Sequence, residues 1–190
     1  MQWALYLKDS IVEYLDVFDF WFTEIDKAKW WVKDKEFDHL LKTRFLDVYY
    51  SATKSELYSW RSTAKGRLAE ILVLDQFPRN IFRNTPQAFV SDPLALALSQ
   101  EAISAGADME LSAIERSFLY MPFMHSESLK IHQVAVDLYT KNGLESNLKF
   151  EIKHKEIIEK FGRYPHRNTI LNRQSTPAEI DFLKQPGSSF

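Results

Sequence analysis

The chain contains no cysteine, which removes disulfides, zinc–thiolate centres and thiol nucleophiles from consideration. Glycine is nearly as scarce, at 5 residues in 190. So few glycines argue against a loop-rich β-sandwich, and no GxxxxGK or GxGxxG run is present to cradle a phosphate. No apolar run approaches the roughly 20 residues needed to span a bilayer. The opening stretch "MQWALYLKDSIVEYLDVF" lacks a basic region and acquires acidic residues at once, so no signal peptide is read there. An excess of either charge is also missing: 24 Lys and Arg face 26 Asp and Glu. That balance provides no electrostatic reason to expect nucleic acid or an anionic membrane as a partner. The expectation is a cytoplasmic protein forming a single all-α domain over residues 1–190, with its oligomeric state open.

What the chain has in quantity is aromatic: 14 Phe, 8 Tyr and 5 Trp. These suit thick helix–helix interfaces or the lining of a groove. The apolar period is about 3.6 almost throughout. Ile11, Leu15, Phe18 and Phe22 form one helical stripe, and only "DVFDFWF" offers a competing strand pattern. A second helix is predicted from Asp34 as N-cap, with Phe37, Leu40, Leu41, Phe45 and Val48 inward. A third runs from about Ala64 to Gln76 and is terminated by Pro78. "SDPLALALSQEAISAG" reads as a fourth, capped by Ser91 or Asp92, with Pro93 in its first turn and Gly106 at its end. A fifth spans about Leu111 to Tyr120 and breaks at Pro122. A sixth starts at a Ser126 cap and closes at Gly143. A seventh spans about Leu144 to Phe161 and closes at Gly162. Thr176, Pro177 and Glu179 make cap, first-turn proline and capping-box glutamate for a short last helix. Connections this short predict antiparallel helical hairpins.

The informative residues are polar ones on apolar stripes. Asp75 follows Leu68 and Ile71 on the inward face of the third helix. His154 lies between Phe150 and the Ile157, Ile158 and Phe161 group on the seventh. Glu127 precedes Ile131, Val134 and Leu138 on the sixth. A buried, unpaired charge costs several kcal/mol or changes protonation state, so each needs a partner. Two echoing corners offer partners: "DQFPRN" at Asp75 to Asn80 and "GRYPHRN" at Gly162 to Asn168. Each places an aromatic before proline, which stops a helix, and an Arg–Asn pair just after. Arg79, Arg83, Arg163 and Arg167 supply forked donors suited to carboxylate or phosphate, with Asn80, Asn168, His125 and His166 beside them.

Three readings of these residues stay open. The corners are structural clamps for Asp75 and Glu127, or they hold a small anionic ligand, or His125, Glu127, His154 and His166 form a metal or acid–base site. The histidine spacing matches no metal signature, so no metal and no cofactor is assigned. Ser126 beside His125 lacks a nucleophile elbow. His39 and His132 read as ordinary surface or boundary residues. The Trp30–Trp31 pair reads as core packing, or as one ring capping a ligand groove.

Four segments together resemble a known family: "FWF" at Phe20 to Phe22, "LDQFPRNIFR" at Leu74 to Arg83, "YMPFMHSE" at Tyr120 to Glu127 and "FGRYPHRNTILNR" at Phe161 to Arg173. They are similar to the bacterial domain of unknown function 924 family, from about residue 14 to residue 184. The resemblance implies an α-helical fold of tetratricopeptide-like class, with stacked antiparallel hairpins, and no assigned activity. Its motif positions fall on Asp75, Gln76, Arg79, Asn80, His125, Ser126, Glu127, His154, Gly162, Arg163, His166, Arg167 and Asn168. Two departures are noted: Tyr164 where phenylalanine is expected, and Asn172 where glycine is usual. The expected site is one polar cleft uniting Asp75, Arg79, Glu127, His154, Arg163, His166 and Arg167. A small carboxylate or phosphate, or a peptide in a tetratricopeptide-like groove, is its expected partner.

Overall fold

The structure, a computed structural model, describes residues 12–188. Every regular element among them is helical. In chain order, α1 (Tyr14–Asp19) continues into a single π turn at Phe20–Glu24, followed by α2 (Lys35–Thr53), α3 (Ala64–Asp75) and the short α4 (Phe77–Ile81). Then come α5 (Asp92–Ser104), α6 (Ala113–Met124), α7 (Leu129–Asn142), α8 (Glu145–Phe161) and α9 (Pro177–Leu183). Brief 3₁₀ turns join them, two of which matter below, at Pro86–Phe89 and Pro165–Arg167. The "DVFDFWF" stretch is thus helical; Ile11 of the first predicted stripe lies outside the described residues.

Caps form where hydrogen-bonding side chains are placed for them. Asp34 accepts from the amides of Glu36 and Phe37 at 2.9 and 3.2 Å, and Thr176 with Glu179 closes a capping box. Gly143 and Gly162 end α7 and α8 at φ 77° and 68°, a conformation that costs glycine little. Asn172, where the family resemblance implies glycine, sits at φ 53°. Asparagine tolerates that region better than most residues, so the turn survives the replacement.

Helix α3 is the axis of the core. Of its 12 residues only Lys65 and Arg67 escape burial, and it packs on α1, α2, α5 and α6. Helices α6, α7 and α8 stack in sequence order. Asn142 at the end of α7 donates to the Ala113 carbonyl at the start of α6, and Tyr139 donates to that of Ser117. These bonds make the pair antiparallel, compatible with a tetratricopeptide-like stacking of hairpins.

Several expected details are corrected. Pro122 does not break α6, which runs on to Met124. Proline there removes only the bond its amide would give the Phe118 carbonyl, while Ser117 through Met124 are all buried; tertiary packing outweighs one lost bond. Pro78 ends α3 but also sits in the first turn of α4, where a proline amide is not missed. The cap of α7 is Ser128 rather than Ser126, which leaves Glu127 outside the helix. Leu40 is exposed rather than inward, as is Leu15. Trp30 packs, stacked 6.3 Å from Trp21 and donating to its carbonyl, but Trp31 is 62% exposed.

The inward faces of α7 and α8 differ most from expectation. On α7 the buried residues are His132, Ala135, Tyr139 and Asn142, and on α8 they are Glu151, His154, Ile157 and Ile158. Val134 and Phe150, read as inward, are exposed. His132 is therefore no surface residue. Its Nε2 donates to the Ser126 carbonyl at 2.8 Å, and its Nδ1 lies 2.7 Å from Glu151 Oε1. Burial raises the Glu151 pKa against the opposing pull of His132, so imidazole and carboxyl hold a proton between them. A polar pair that satisfies itself can occupy a core stripe, and it displaces apolar neighbours to the surface.

Candidate cleft at two echoing corners

The two corners meet on one carboxylate. In α4, Arg79 donates from Nη1 and Nη2 to the two oxygens of Asp92 at 3.0 and 3.1 Å. From the Pro165–Arg167 turn, Arg167 Nη1 reaches Asp92 Oδ2 at 3.3 Å. Asp92 stands in the first turn of α5, where an acidic residue is ordinary helix chemistry, and for that reason its sequence context does not mark it as a site residue. The Arg167 guanidinium lies 4.6 Å from the Phe89 ring centroid and 4.7 Å from that of Tyr164, a cation–π sandwich. Its buried Nε has no hydrogen-bond partner among the described residues.

Behind the arginines lies Asp75, fully buried at the end of α3. Its Oδ1 accepts from His125 Nδ1 at 2.7 Å and lies 3.5 Å from Arg79 Nη1, while Gln76 donates to Oδ2 at 2.6 Å. Burial alone would raise the Asp75 pKa, but the Arg79 charge and the hydrogen bonds from His125 and Gln76 hold it well below the usual carboxylate range. An ionised Asp75 must accept, so His125 Nδ1 carries the hydrogen and Nε2 keeps its lone pair. Burial and then Arg79 lower the pKa of His125 itself.

A cavity of about 270 Å³ opens over this cluster, bounded by Arg79, Arg167, His125, His154, His166 and Phe89. Tyr164 also lines it, with ring centroids 5.7 Å from His154 and 5.5 Å from His166. Burial lowers both imidazoles to a pKa of about 3, helped for His166 by the Arg167 charge, so both are neutral near pH 7. Arg83 on the cavity wall is neutralised by Asp38 at 2.6 Å. Lys33 at the rim has no carboxylate partner among the described residues, so the cleft keeps an excess of positive charge.

Not every expected residue arrives there. Arg163 points away: it forms a bidentate pair with Glu179 at 2.7 and 2.8 Å and donates to the Gln174 carbonyl, tying α9 to the end of α8. Glu127 is held by Arg173 at 2.6 and 2.9 Å and by the Tyr164 amide at 2.7 Å. These contacts lower its pKa against the effect of burial. His125 and Glu127 therefore have separate partners, and no group of three or more His, Asp or Glu among the described residues is arranged to hold a metal ion. Asn80 and Asn168 hold the corners themselves, accepting from Arg83 at 3.2 Å and from Arg173 at 3.0 Å. The Tyr164 hydroxyl donates to the Met124 carbonyl and lies 3.2 Å from His132 Nε2, contacts that a phenylalanine there would forgo. Arg173, the last residue of the Phe161–Arg173 segment and not among the expected site residues, is the clamp for Glu127. Arg173→Ala should cost about 1.5–3 kcal/mol, the worth of charge-assisted hydrogen bonds to a half-buried carboxylate. A lower urea midpoint at an unchanged slope would report it.

Fold and site together define an all-helical protein in which two arginine-bearing corners close a central cleft around a shared aspartate. Residues 17–187 match the model of a family described as bacterial protein of unknown function (DUF924), and the chain belongs to that family. A similar solved structure is the protein of unknown function ATU0120 from Agrobacterium tumefaciens. It is 42% identical with a TM-score of 0.86, over 90% of this chain and 96% of that one. No curated protein matches the chain. Among the described residues, no helix is long and apolar enough to cross a membrane.

Proposed function

We propose that the cleft binds a small organic anion, a carboxylate or a phosphate, through Arg167 and Arg79. One observation carries this reading: Arg167, whose only carboxylate among the described residues is the Asp92 it shares with Arg79, keeps a buried Nε with no partner among them. A buried donor left unsatisfied costs about 1–3 kcal/mol, and an anion is the ligand that most directly satisfies it. Lys33 at the rim favours entry of a negative ligand.

The test is a thermal-shift titration with inorganic phosphate, acetate and citrate at matched ionic strength. At about 100 times its dissociation constant, a ligand adds about 2.7 kcal/mol, which raises Tm by roughly 5–11 °C for a domain of this size. Arg167→Met should abolish the shift while preserving packing between Phe89 and Tyr164. A wild-type melting curve that none of these anions moves beyond the sodium chloride control would refute the reading.

The Asp75–His125 bond supports a second role in the same cleft. A buried carboxylate that fixes one imidazole nitrogen as donor leaves the other as a proton acceptor, the arrangement of an oriented general base. His125 is the proton-transfer candidate on this geometry, with Asp75 as its positioning residue; Glu127 is committed to Arg173.

A further inference from the structure

A second cavity, of about 440 Å³, adjoins the first and shares Phe89, His125 and Arg167 with it. Its remaining walls differ in kind. Pro86, Val90, Pro93, Leu96, Pro122 and Leu171 surround it, and three of these are prolines, which have no amide hydrogen to offer a ligand. Its acidic groups are already neutralised, Asp92 by Arg79 and Arg167, and Glu127 by Arg173. Val90 at the mouth is 64% exposed, so apolar surface is left in contact with water. One chamber is therefore lined mainly by cations and imidazoles and the other mainly by hydrocarbon, and among the described residues Arg167 is the only charged side chain common to both.

We infer that the ligand is an amphiphile: an oxyanion head held by Arg167 beside His125, and an apolar alkyl or aryl body lying along Leu96, Leu171 and the prolines of the second cavity. This rests on the anion-binding reading above and goes beyond it in naming the ligand's other half. A ligand polar at both ends would set hydrogen-bonding groups against the prolines, Leu96 and Leu171, which cannot pair them, and would find polar partners only at the Ser126, Asp92 and Glu127 side of the chamber. A bare inorganic anion would leave the second chamber unfilled. With the head on Arg167, the atoms joining head to body fall beside His125, where a proton acceptor would act on them.

Isothermal titration calorimetry with a homologous series tests this: acetate, butanoate, hexanoate and octanoate, with inorganic phosphate against hexyl phosphate as a second arm. Burying one methylene is worth about 0.8 kcal/mol, so Kd should fall roughly fourfold per carbon. Hexanoate should then bind about 15-fold tighter than butanoate. Leu96→Gln and Leu171→Gln, on different elements, should each flatten this gradient while leaving the affinity for acetate and phosphate unchanged. The arm that binds more tightly at equal chain length identifies the head group. If short and long anions bind with equal affinity, the amphiphile is refuted and the anion site stands. If neither arm binds at any length, both fall.

Discussion

Replacing Asp75 with alanine is expected to lower Tm by roughly 6–20 °C, the equivalent of about 3–5 kcal/mol for breaking one side of a buried ionic cluster. The magnitude follows from what the carboxylate holds. Asp75 is fully buried and bonded to His125 and Gln76, with the Arg79 guanidinium 3.5 Å away. Without it, Arg79 keeps only the backbone carbonyl of residue 75 and Asp92, and Asp92 is already shared with Arg167. Asp75→Asn preserves volume and part of the hydrogen bonding, so it should cost less than alanine while still removing the charge. Nitrogen NMR of the His125 ring gives an independent readout. Nδ1 should carry the hydrogen in the wild type, and that preference should weaken in Asp75→Asn. A loss below about 1 kcal/mol in urea unfolding of the alanine variant would show that the cluster is no structural keystone.

Acidification should destabilise the fold well before the carboxylates of the unfolded chain titrate. His154 and His166 are kept neutral by burial, with pKa values of about 3, whereas an unperturbed histidine has a pKa of about 6.5. Between those values the unfolded chain takes up protons that the folded one refuses. Their contribution is complete above about pH 6.5 and drains away as the pH falls toward 3. The slope reaches about 1.4 kcal/mol per pH unit for each imidazole. Asp75, whose pKa is depressed in the fold, adds a loss of the same sign at still lower pH. Urea-unfolding free energies at intervals from pH 8 to pH 4 would measure this, and His154→Gln should remove its own share of the slope while His166 and His125 keep theirs. Equal stability at pH 7 and pH 5 would contradict the burial of both rings.

Much of this was legible in the order of residues, and the exceptions follow a pattern. Caps and stops depend on a residue and its neighbours within a turn, so the Asp34 cap, the Thr176–Glu179 box and the glycines closing α7 and α8 fell where local chemistry placed them. Helix faces depend on what lies opposite. On α7 the apolar series Ile131, Val134, Leu138 competes with the series His132, Ala135, Tyr139, Asn142 one residue further on. Nothing within the helix says that Glu151 waits across the interface to make His132 the better occupant. The same rotation hid Glu151 behind Phe150.

The sequence by itself determined an all-helical chain without thiol chemistry, and it marked two corners where arginine, asparagine and histidine gather around an aromatic–proline step. Only the tertiary structure decided which arginine served which carboxylate. Arg79 and Arg167 converged on Asp92, Arg163 turned outward to Glu179, and Arg173 took Glu127. The reason is physical: an arginine fork reaches several ångströms in any direction its backbone allows, and a carboxylate at a helix start looks identical whether it caps that helix or draws two distant chain segments together. Pairing between such groups is settled by packing, which brings α4, α5 and the last turn before residue 168 to a common point.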